Sequence, residues 1–364
     1  MAVCDSRQEA IVCLAAGKSQ VPILEAAKSL GYVIVAVDKN PDSPGFRFAD
    51  ISICESTYDS KAIVKQLEAL KEEYKWVGVL NRSSGPPVVT TAEICEYFDI
   101  PGVPVESAKA LVNKDLLHDF CSDFDIPLPS YKVYSLENIN LIEAVQFPIV
   151  VKPALSLVGK SGVTVVRSKN NLNAAIKCAA DNTVNGNILL EEYLHGPDYS
   201  LISFVQDGKV FPVCFLEELN QVSDNGKVSP KGFKTHSLSD EGKLESMANE
   251  IAKELVNVFH IKRSAFMVSF RVNSYGDLGL IEVHLDLGGD LLIEEIFPRA
   301  LSYDFLRLAI TMLVGSCECP SNEAIKPTAI FYDNDEGLVS DRNYKVFTAD
   351  TYENLEKIIL EAGI

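Results

Sequence analysis

Short apolar runs and amphipathic stretches alternate along residues 10–105. Ala10–Ala15 reads as a buried strand, and Val21–Leu30 as a helix that Gly31 stops. Tyr32–Val37, Ile51–Cys54 and Trp76–Leu80 follow as strands, with helices at Asp59–Glu73 and Pro86–Phe98. This alternation predicts a parallel sheet with helices on both faces, a Rossmann-like α/β domain. The Pro101–Pro104 segment punctuates the pattern, and a boundary is placed at residue 105.

Beyond it the pattern becomes α+β. One helix is expected from Ala108 to Phe124, ending before Ile126-Pro127-Leu128-Pro129. Strands at Tyr131–Tyr134, Ile149–Pro153, Val163–Val166 and Ile188–Tyr193 surround a helix at Asn170–Ala180. From Tyr199 onward the chain reads as a hairpin turning at Gln206–Lys209, a loop across 231–240, a helix Glu241–Phe259 and a second hairpin across Asn273–Gly279. Residues 325–364 carry two strand signals and a helix, Tyr352–Ala362. The expected partition is 1–105, 106–194, 195–324 and 325–364.

The composition narrows the class. A chain of 364 residues, 47% hydrophobic, fits several packed units rather than one small core. The formal charge of −18 argues against a nonspecific nucleic-acid binder, which needs a basic face. It leaves room for a nucleotide, because a few local lysines can oppose the global field. No apolar run reaches about 18 residues, so no membrane span is expected. The first residues lack a signal-peptide pattern, and nine scattered cysteines read as reduced thiols, so the expected compartment is the cytoplasm.

The chemistry-bearing residues cluster between Val150 and Asp198. Lys152 closes the apolar strand IVVKP, placed to neutralise a phosphate, although an exposed strand-end lysine would look the same. The following loop contains Ser156, Gly159, Lys160, Ser161 and Gly162, whose small residues let backbone N–H groups approach phosphate oxygens. It lacks the GxxxxGK[ST] spacing, and a hairpin turn fits it equally well. Glu191, Glu192, Tyr193 and Leu194 could supply an acceptor, a backbone donor and an apolar wall to an adenine, and Asp198 could accept from ribose hydroxyls. An acid at a solvated strand edge is the simpler account of each taken alone. The earlier loop Ala16-Gly17-Lys18-Ser19-Gln20 lacks the GxGxxG spacing, which disfavours a dinucleotide-binding dehydrogenase.

A second group lies on the strand expected at Ile281–Leu287. Alternation puts Glu282, His284 and Asp286 on one face, with successive members roughly 6.6–6.8 Å apart. Glu282 and His284 could converge on one metal ion or flank two, whereas Glu282 and Asp286 are too far apart for a single ion. A partner strand, Ala265–Val272, would bring Met267, Ser269 and Arg271 to the same face. A solvent-facing polar ladder with an Arg271–Glu282 pair is the competing account. His236, in the expected loop, reads as a surface histidine.

Taken in order, these segments resemble the ATP-grasp superfamily of ATP-dependent carboxylate ligases, in the branch similar to carbamoyl-phosphate synthetase and pyrrolysine ligase. The segment GYVIVAVDKNPDSPGFRFAD resembles the domain that precedes the ATP-grasp fold, and SAKALVNKDLLHDFCSDFDIPLPSY resembles its linker helix, whose lysine is Lys114 here. The resemblance implies a two-lobed ATP-grasp domain after a Rossmann-like domain, with a small C-terminal tail. It implies Lys114 and Lys152 on the phosphates, the loop as a lid, and Glu191, the Tyr193–Leu194 backbone and Asp198 on the nucleoside.

The last motif departs from the family pattern E-V-N-P-R-x-G-G. It reads Glu282-Val283-His284-Leu285-Asp286-Leu287-Gly288-Gly289. His284 replaces an asparagine, Asp286 replaces an arginine, and Ser269 stands where an acidic ligand is usual. Glu282, His284 and Asp286 are the expected metal ligands, for Mg²⁺ or, given the imidazole, Mn²⁺. Arg271 or Arg299 is expected to supply the missing catalytic charge. The implied activity is ligation of a small carboxylate, such as an amino acid, to an amine through an acyl phosphate. The alternative is a degenerate member that binds nucleotide or ligand without turnover. The family is compatible with a homodimer.

Overall fold

A computed structural model describes residues 6–139, 142, 145–156, 160–236, 242–289, 291–316, 325–333 and 343–363. The first sheet is four-stranded and parallel, in the order β3-β2-β1-β4. Its strands are β1 (Gln8–Leu14), β2 (Val33–Val37), β3 (Ile51–Ile53) and β4 (Tyr74–Asn81), joined by helices α1 (Val21–Ser29) and α2 (Ser60–Glu68) and followed by α3 (Pro86–Tyr97). Ala10–Leu14 and Ile34–Val37 are buried throughout, as expected of strands covered on both faces. The loops at the C-terminal ends of these strands share one edge, where open α/β sheets bind ligands.

The single helix expected from Ala108 to Phe124 is two helices, α4 (Val105–Val112) and α5 (Lys114–Cys121). Asn113 leaves helical geometry at φ −103° and ψ 113°, and its side-chain amide donates to the Lys109 carbonyl at 2.9 Å. The break frees the Lys114 N–H to donate to the Ala154 carbonyl at 2.9 Å. Lys114 therefore sits at a helix start pinned to the next sheet.

That sheet is antiparallel and four-stranded, in the order β5-β8-β6-β7. It comprises β5 (Tyr131–Ser135), β6 (Ile149–Pro153), β7 (Thr164–Val166) and β8 (Asn187–Glu192), backed by α6 (Lys169–Asn182). Leu172, Ala175 and Ala179 of the helix pack on Ile149, Val151, Ile188 and Leu190.

The third sheet is antiparallel and seven-stranded, ordered β13-β12-β9-β10-β11-β14-β15. Its strands are β9 (Asp198–Gln206), β10 (Lys209–Val222), β11 (Val228–Thr235), β12 (Arg263–Val272), β13 (Leu278–His284), β14 (Thr328–Tyr332) and β15 (Tyr344–Thr348). Segment 231–235, expected as loop, is the end of β11: it pairs with β10 on one side and β14 on the other, burying Phe233 and Thr235. The tail strands β14 and β15 thus extend the central sheet. Helix α7 (Lys243–Val258) covers one face with Ala248, Ala252 and Leu255 against Phe266 and Phe270. A π-helical turn at Leu292–Ile296 leads into α8 (Phe297–Ala300), and α9 (Phe305–Val314) and α10 (Tyr352–Glu361) complete the chain. Phe204, Leu216 and Ile310 share a core with Leu24 and Ile34, so the first sheet packs against the third. Among the described residues no helix is long and apolar enough to cross a membrane.

The lobe carrying β5–β8 meets the central sheet at the β10–β11 turn. Val165 donates its N–H to the Gly226 carbonyl at 2.8 Å, and Thr164 bridges Lys227. Gly226 has φ +85°, and a Cβ there would lie 2.1 Å from the Val165 carbonyl oxygen. Gly226→Ala therefore combines left-handed strain, about 1–2 kcal/mol, with a backbone clash. It is expected to lower the free energy of unfolding measured in urea by at least that amount; an unchanged value would show that the turn does not hold the lobe.

Candidate functional site

A cleft of about 1320 Å³, counted with its open mouth, lies between the β5–β8 lobe, the central sheet and the C-terminal edge of the first sheet. Each element contributes for a local reason. β6 ends in Lys152 and Pro153, so the lysine points into the cleft from a strand whose neighbours Val151 and Ala154 are fully buried. α5 begins at Lys114, one turn before His118 on the same helix face. β12 and β13 pair with Ser269 opposite Glu282 and Met267 opposite His284, the register that alternation predicts.

The cleft's cations are each matched by a carboxylate. Lys114 Nζ lies 3.1 Å from Glu282, Lys152 Nζ 2.6 Å from Glu191, and Lys160 Nζ 2.8 Å from Glu218. Arg271 holds Asp198 with two guanidinium N–H donors, a bidentate pair. His284 Nε2 is 3.4 Å from Glu282. Burial works against ionisation of Glu282, but Lys114 and His284 beside it outweigh that and hold its carboxyl well below the usual range. Burial likewise lowers His284, yet the Glu282 charge prevails and raises the imidazole to about 9.

The deepest pair is Lys152–Glu191, with side chains 4% and 3% exposed. His118, fully buried, places Nε2 3.0 Å from the same Glu191 oxygen and stacks edge-on against Tyr131. Burial would push the Glu191 carboxyl up; Lys152 and His118 instead bring it down to about 2. Glu191 thus faces Lys152 and His118 from within the cleft lining. Glu192, its exposed neighbour, accepts from the Ser130 hydroxyl at 3.0 Å.

The structure separates the sequence candidates into two groups. Lys114, Lys152, Ser156, Lys160, Glu191, Glu192, Leu194, Asp198, Arg271, Glu282, His284 and Asp286 all line the cleft. Ser161 instead donates to Asn182 at 2.6 Å, and Gly162 is wedged against Pro153 and Asn182, where a Cβ would come within 3.0 Å of both. The Tyr193 side chain is outside the lining, edge-on to His195 and under the Arg271 guanidinium. Gly159 lies outside the described residues. Arg299 is not brought to the cleft; it pairs with Glu295 one turn back in its own helical segment. The proposed trio of metal ligands does not converge either. β13 ends at His284, so Asp286 lies past the strand with one oxygen taken by the Gly288 N–H at 2.8 Å. Among the described residues no three His, Cys, Asp or Glu side chains form a metal cluster. The Arg271–Glu282 pair of the competing account does not form, because β9 sets Asp198 directly opposite Arg271.

Several residues escaped the sequence reading. Glu218 on β10 is held by the Ser200 hydroxyl and by Ser269, whose Oγ donates to Oε1 at 3.0 Å. The row Glu282, Ser269, Ser200, Glu218 crosses β13, β12, β9 and β10, with the two serine oxygens 2.9 Å apart. Burial would raise the Glu218 carboxyl, but Lys160 and the Ser200 hydroxyl lower it. Arg82, at the end of β4, contacts the Ser19 carbonyl, the Gly288 carbonyl at 3.0 Å and Glu294 at 2.9 Å. It ties the first sheet to the segment after β13. His118 had one readable signal, its helix spacing from Lys114; Glu218 and Arg82 depend on partners distant in sequence.

Residues 112–267 match the family model described as phosphoribosylglycinamide synthetase, ATP-grasp (A) domain. Curated relatives include the formate-dependent phosphoribosylglycinamide formyltransferase of Prochlorococcus marinus (strain MIT 9515). It is 25% identical over 195 residues, covering 52% of this chain and 48% of that one, so the alignment spans about half of that relative. The enzyme of the same name from Yersinia pestis (strain Pestoides F) is 23% identical over 296 residues, covering 79% and 68%. Solved structures with the same fold include an L-amino acid ligase from Bacillus licheniformis, with TM-score 0.79, 16% identity and coverage of 98% and 97%. The N5-carboxyaminoimidazole synthetase from Staphylococcus aureus complexed with ADP aligns with TM-score 0.75, 14% identity and coverage of 98% and 97%.

The Glu191 pair sets an acid dependence. Its folded pKa, about 2, lies below the ordinary value of 4.5, so its contribution to stability is full above 4.5 and is lost as pH falls toward 2. Glu191→Gln leaves Lys152 buried without its counter-charge and is expected to cost about 3–5 kcal/mol at neutral pH. It should also flatten the fall in melting temperature below pH 4.5. A variant as stable as the parent, with the same acid limb, would rule out this role.

Proposed function

We propose that this chain is an ATP-grasp carboxylate–amine ligase that binds ATP in the cleft and uses it to join a small carboxylic acid, such as an amino acid, to an amine. The observation that carries this reading is the convergence of Lys114, Lys152 and Lys160, from three separate elements, on one cleft beside Glu282 and Glu218. Three ammonium groups in one cleft suit a polyphosphate, and the β8–β9 edge with Leu194 suits the nucleoside. Domain limits at 105, 194 and 324 belong to the same proposal.

The chemistry follows from this placement. A substrate carboxylate oxygen attacks the γ-phosphorus, the bond to the bridging oxygen breaks, and ADP leaves with that electron pair. The amine then attacks the acyl carbon, phosphate departs, and the nitrogen loses a proton to give the amide. Lys114, Lys152 and Lys160 are placed to exchange their carboxylate partners for phosphate oxygens and so offset the charge on the transferred group. Lys160 and Ser156, which line the cleft, would help keep water from the acyl phosphate. Magnesium takes one or two carboxylates together with substrate phosphates. Glu282 and Glu218, both acids with lowered pKa, suit that role, whereas the His284 imidazole does not. A divalent cation held by Glu282 and Glu218 would supply Lewis-acid shielding of the phosphates.

A second reading, nucleotide binding without turnover, is supported by one observation. Arg271 is the arginine lining the described cleft, and Asp198 holds it by two hydrogen bonds. Phosphate release from ATP and magnesium, with pools of amino acids and other carboxylates plus amines, separates the two. Ligation predicts stimulated release, and Glu282→Gln should reduce it by about 10²–10³-fold. The same variant should keep the melting-temperature increase given by a nonhydrolysable ATP analogue. Analogue binding without stimulated release by any pool selects the binding-only reading; absence of both removes the nucleotide assignment.

A further inference from the structure

Among the described residues of the cleft, Asp286 has a buried carboxylate oxygen with neither a hydrogen-bond nor an ion-pair partner. It is 7% exposed and lines the cleft two residues beyond His284. Oδ1 accepts the Gly288 N–H at 2.8 Å, and Oδ2 is buried with no hydrogen-bond partner among the described residues. A buried carboxylate oxygen in this state is costly, and native structures rarely leave one without a purpose. The nearby cations are already engaged. His284 and Lys114 are both held by Glu282, and Arg82 is held by Glu294 and by the Gly288 and Ser19 carbonyls.

We propose that Asp286 is the receptor for an ammonium group on the carboxylate substrate, so that the acid activated here is an amino acid rather than a phosphorylated or simple organic acid. The inference rests on the ligase reading and names its substrate class. One feature of the surroundings supports it. Ser84 and Gly85, at the start of the 12-residue helix α3, line the same cleft. Pro86 and Pro87 supply no N–H in the first turn of that helix, so the donor offered there to a substrate carboxylate is the Ser84 hydroxyl. In an α-amino acid the ammonium and the carboxylate are separated by one carbon, so one ligand can use both groups. A substrate phosphate would meet Asp286 as a like charge, an arrangement that costs affinity.

The full-length chain is tested with ATP, magnesium and matched acid pairs: L-alanine and propanoate, L-leucine and 4-methylpentanoate, L-phenylalanine and 3-phenylpropanoate. Phosphate release and, with a nonhydrolysable ATP analogue, the shift in melting temperature are both read. At least one amino acid should outperform its partner lacking the amino group by about thirtyfold or more in kcat/KM. Asp286→Asn should erase most of that preference through KM while the ATP-analogue shift persists, which also reports that the variant folds. If the acids lacking the amino group work as well, or the preference survives in Asp286→Asn, the ammonium site is wrong and the ligase reading stands. If no acid stimulates release but amino acids still raise the melting temperature of the parent and not of Asp286→Asn, the ligase reading fails and the ammonium site stands. If amino acids neither bind nor react, the proposal is overturned. The comparison of acids on the unmodified chain decides the preference even if the variant does not fold.

Discussion

The cleft depends on one constraint: a cation taken out of water needs a counter-charge. Lys152 is 3% exposed, and without Glu191 its ammonium would be driven toward neutrality by burial, which already lowers its pKa. Glu191 in turn is kept ionised by Lys152 and His118. The same arrangement recurs at Lys114–Glu282, Lys160–Glu218 and Arg271–Asp198 with less burial. Charge in the cleft is therefore nearly balanced before any ligand enters. Under the proposed function, phosphates would take over the lysines from their carboxylates, and Glu282 and Glu218 would be left to hold a divalent cation. Desolvation has largely been met in folding, which is what preorganisation means in electrostatic terms.

The fold was legible wherever the signal was periodic and local. The first sheet followed from β-branched runs and glycine stops, and Lys152, Glu282 and His284 fell where alternation put them. Segment 231–235 was misjudged because Lys231, Gly232 and Lys234 resemble a loop; β10 and β14 on either side make it a strand. The helix break at Asn113 was hidden for a similar reason. Residues 108–121 are periodic across it, and the Ala154 carbonyl that favours the break is distant in sequence.

The site was legible as a set of residues but not as a set of pairs. Arg271 and Asp198 were both selected, yet for different roles, and only the β9–β12 register makes them partners. The acid next to Ser269 comes from β10, two strands away in the sheet, so nothing around position 269 reveals it. Cross-strand neighbours are fixed by topology, and topology is what a linear reading lacks. Arg82 is the extreme case: its partner Glu294 lies on a segment more than two hundred residues downstream.

Balanced pairing also shapes how a ligand arrives. The chain carries a formal charge of −18, and the cleft, with its lysines already neutralised, offers little field of its own. At physiological salt, fields fade over about 8 Å, so an anion approaching from solvent is neither drawn in nor oriented until it reaches the mouth. Encounter is then an unsteered collision, and discrimination is postponed to the moments after contact. A ligand is kept if it can take over the existing ion pairs, and lost if it cannot.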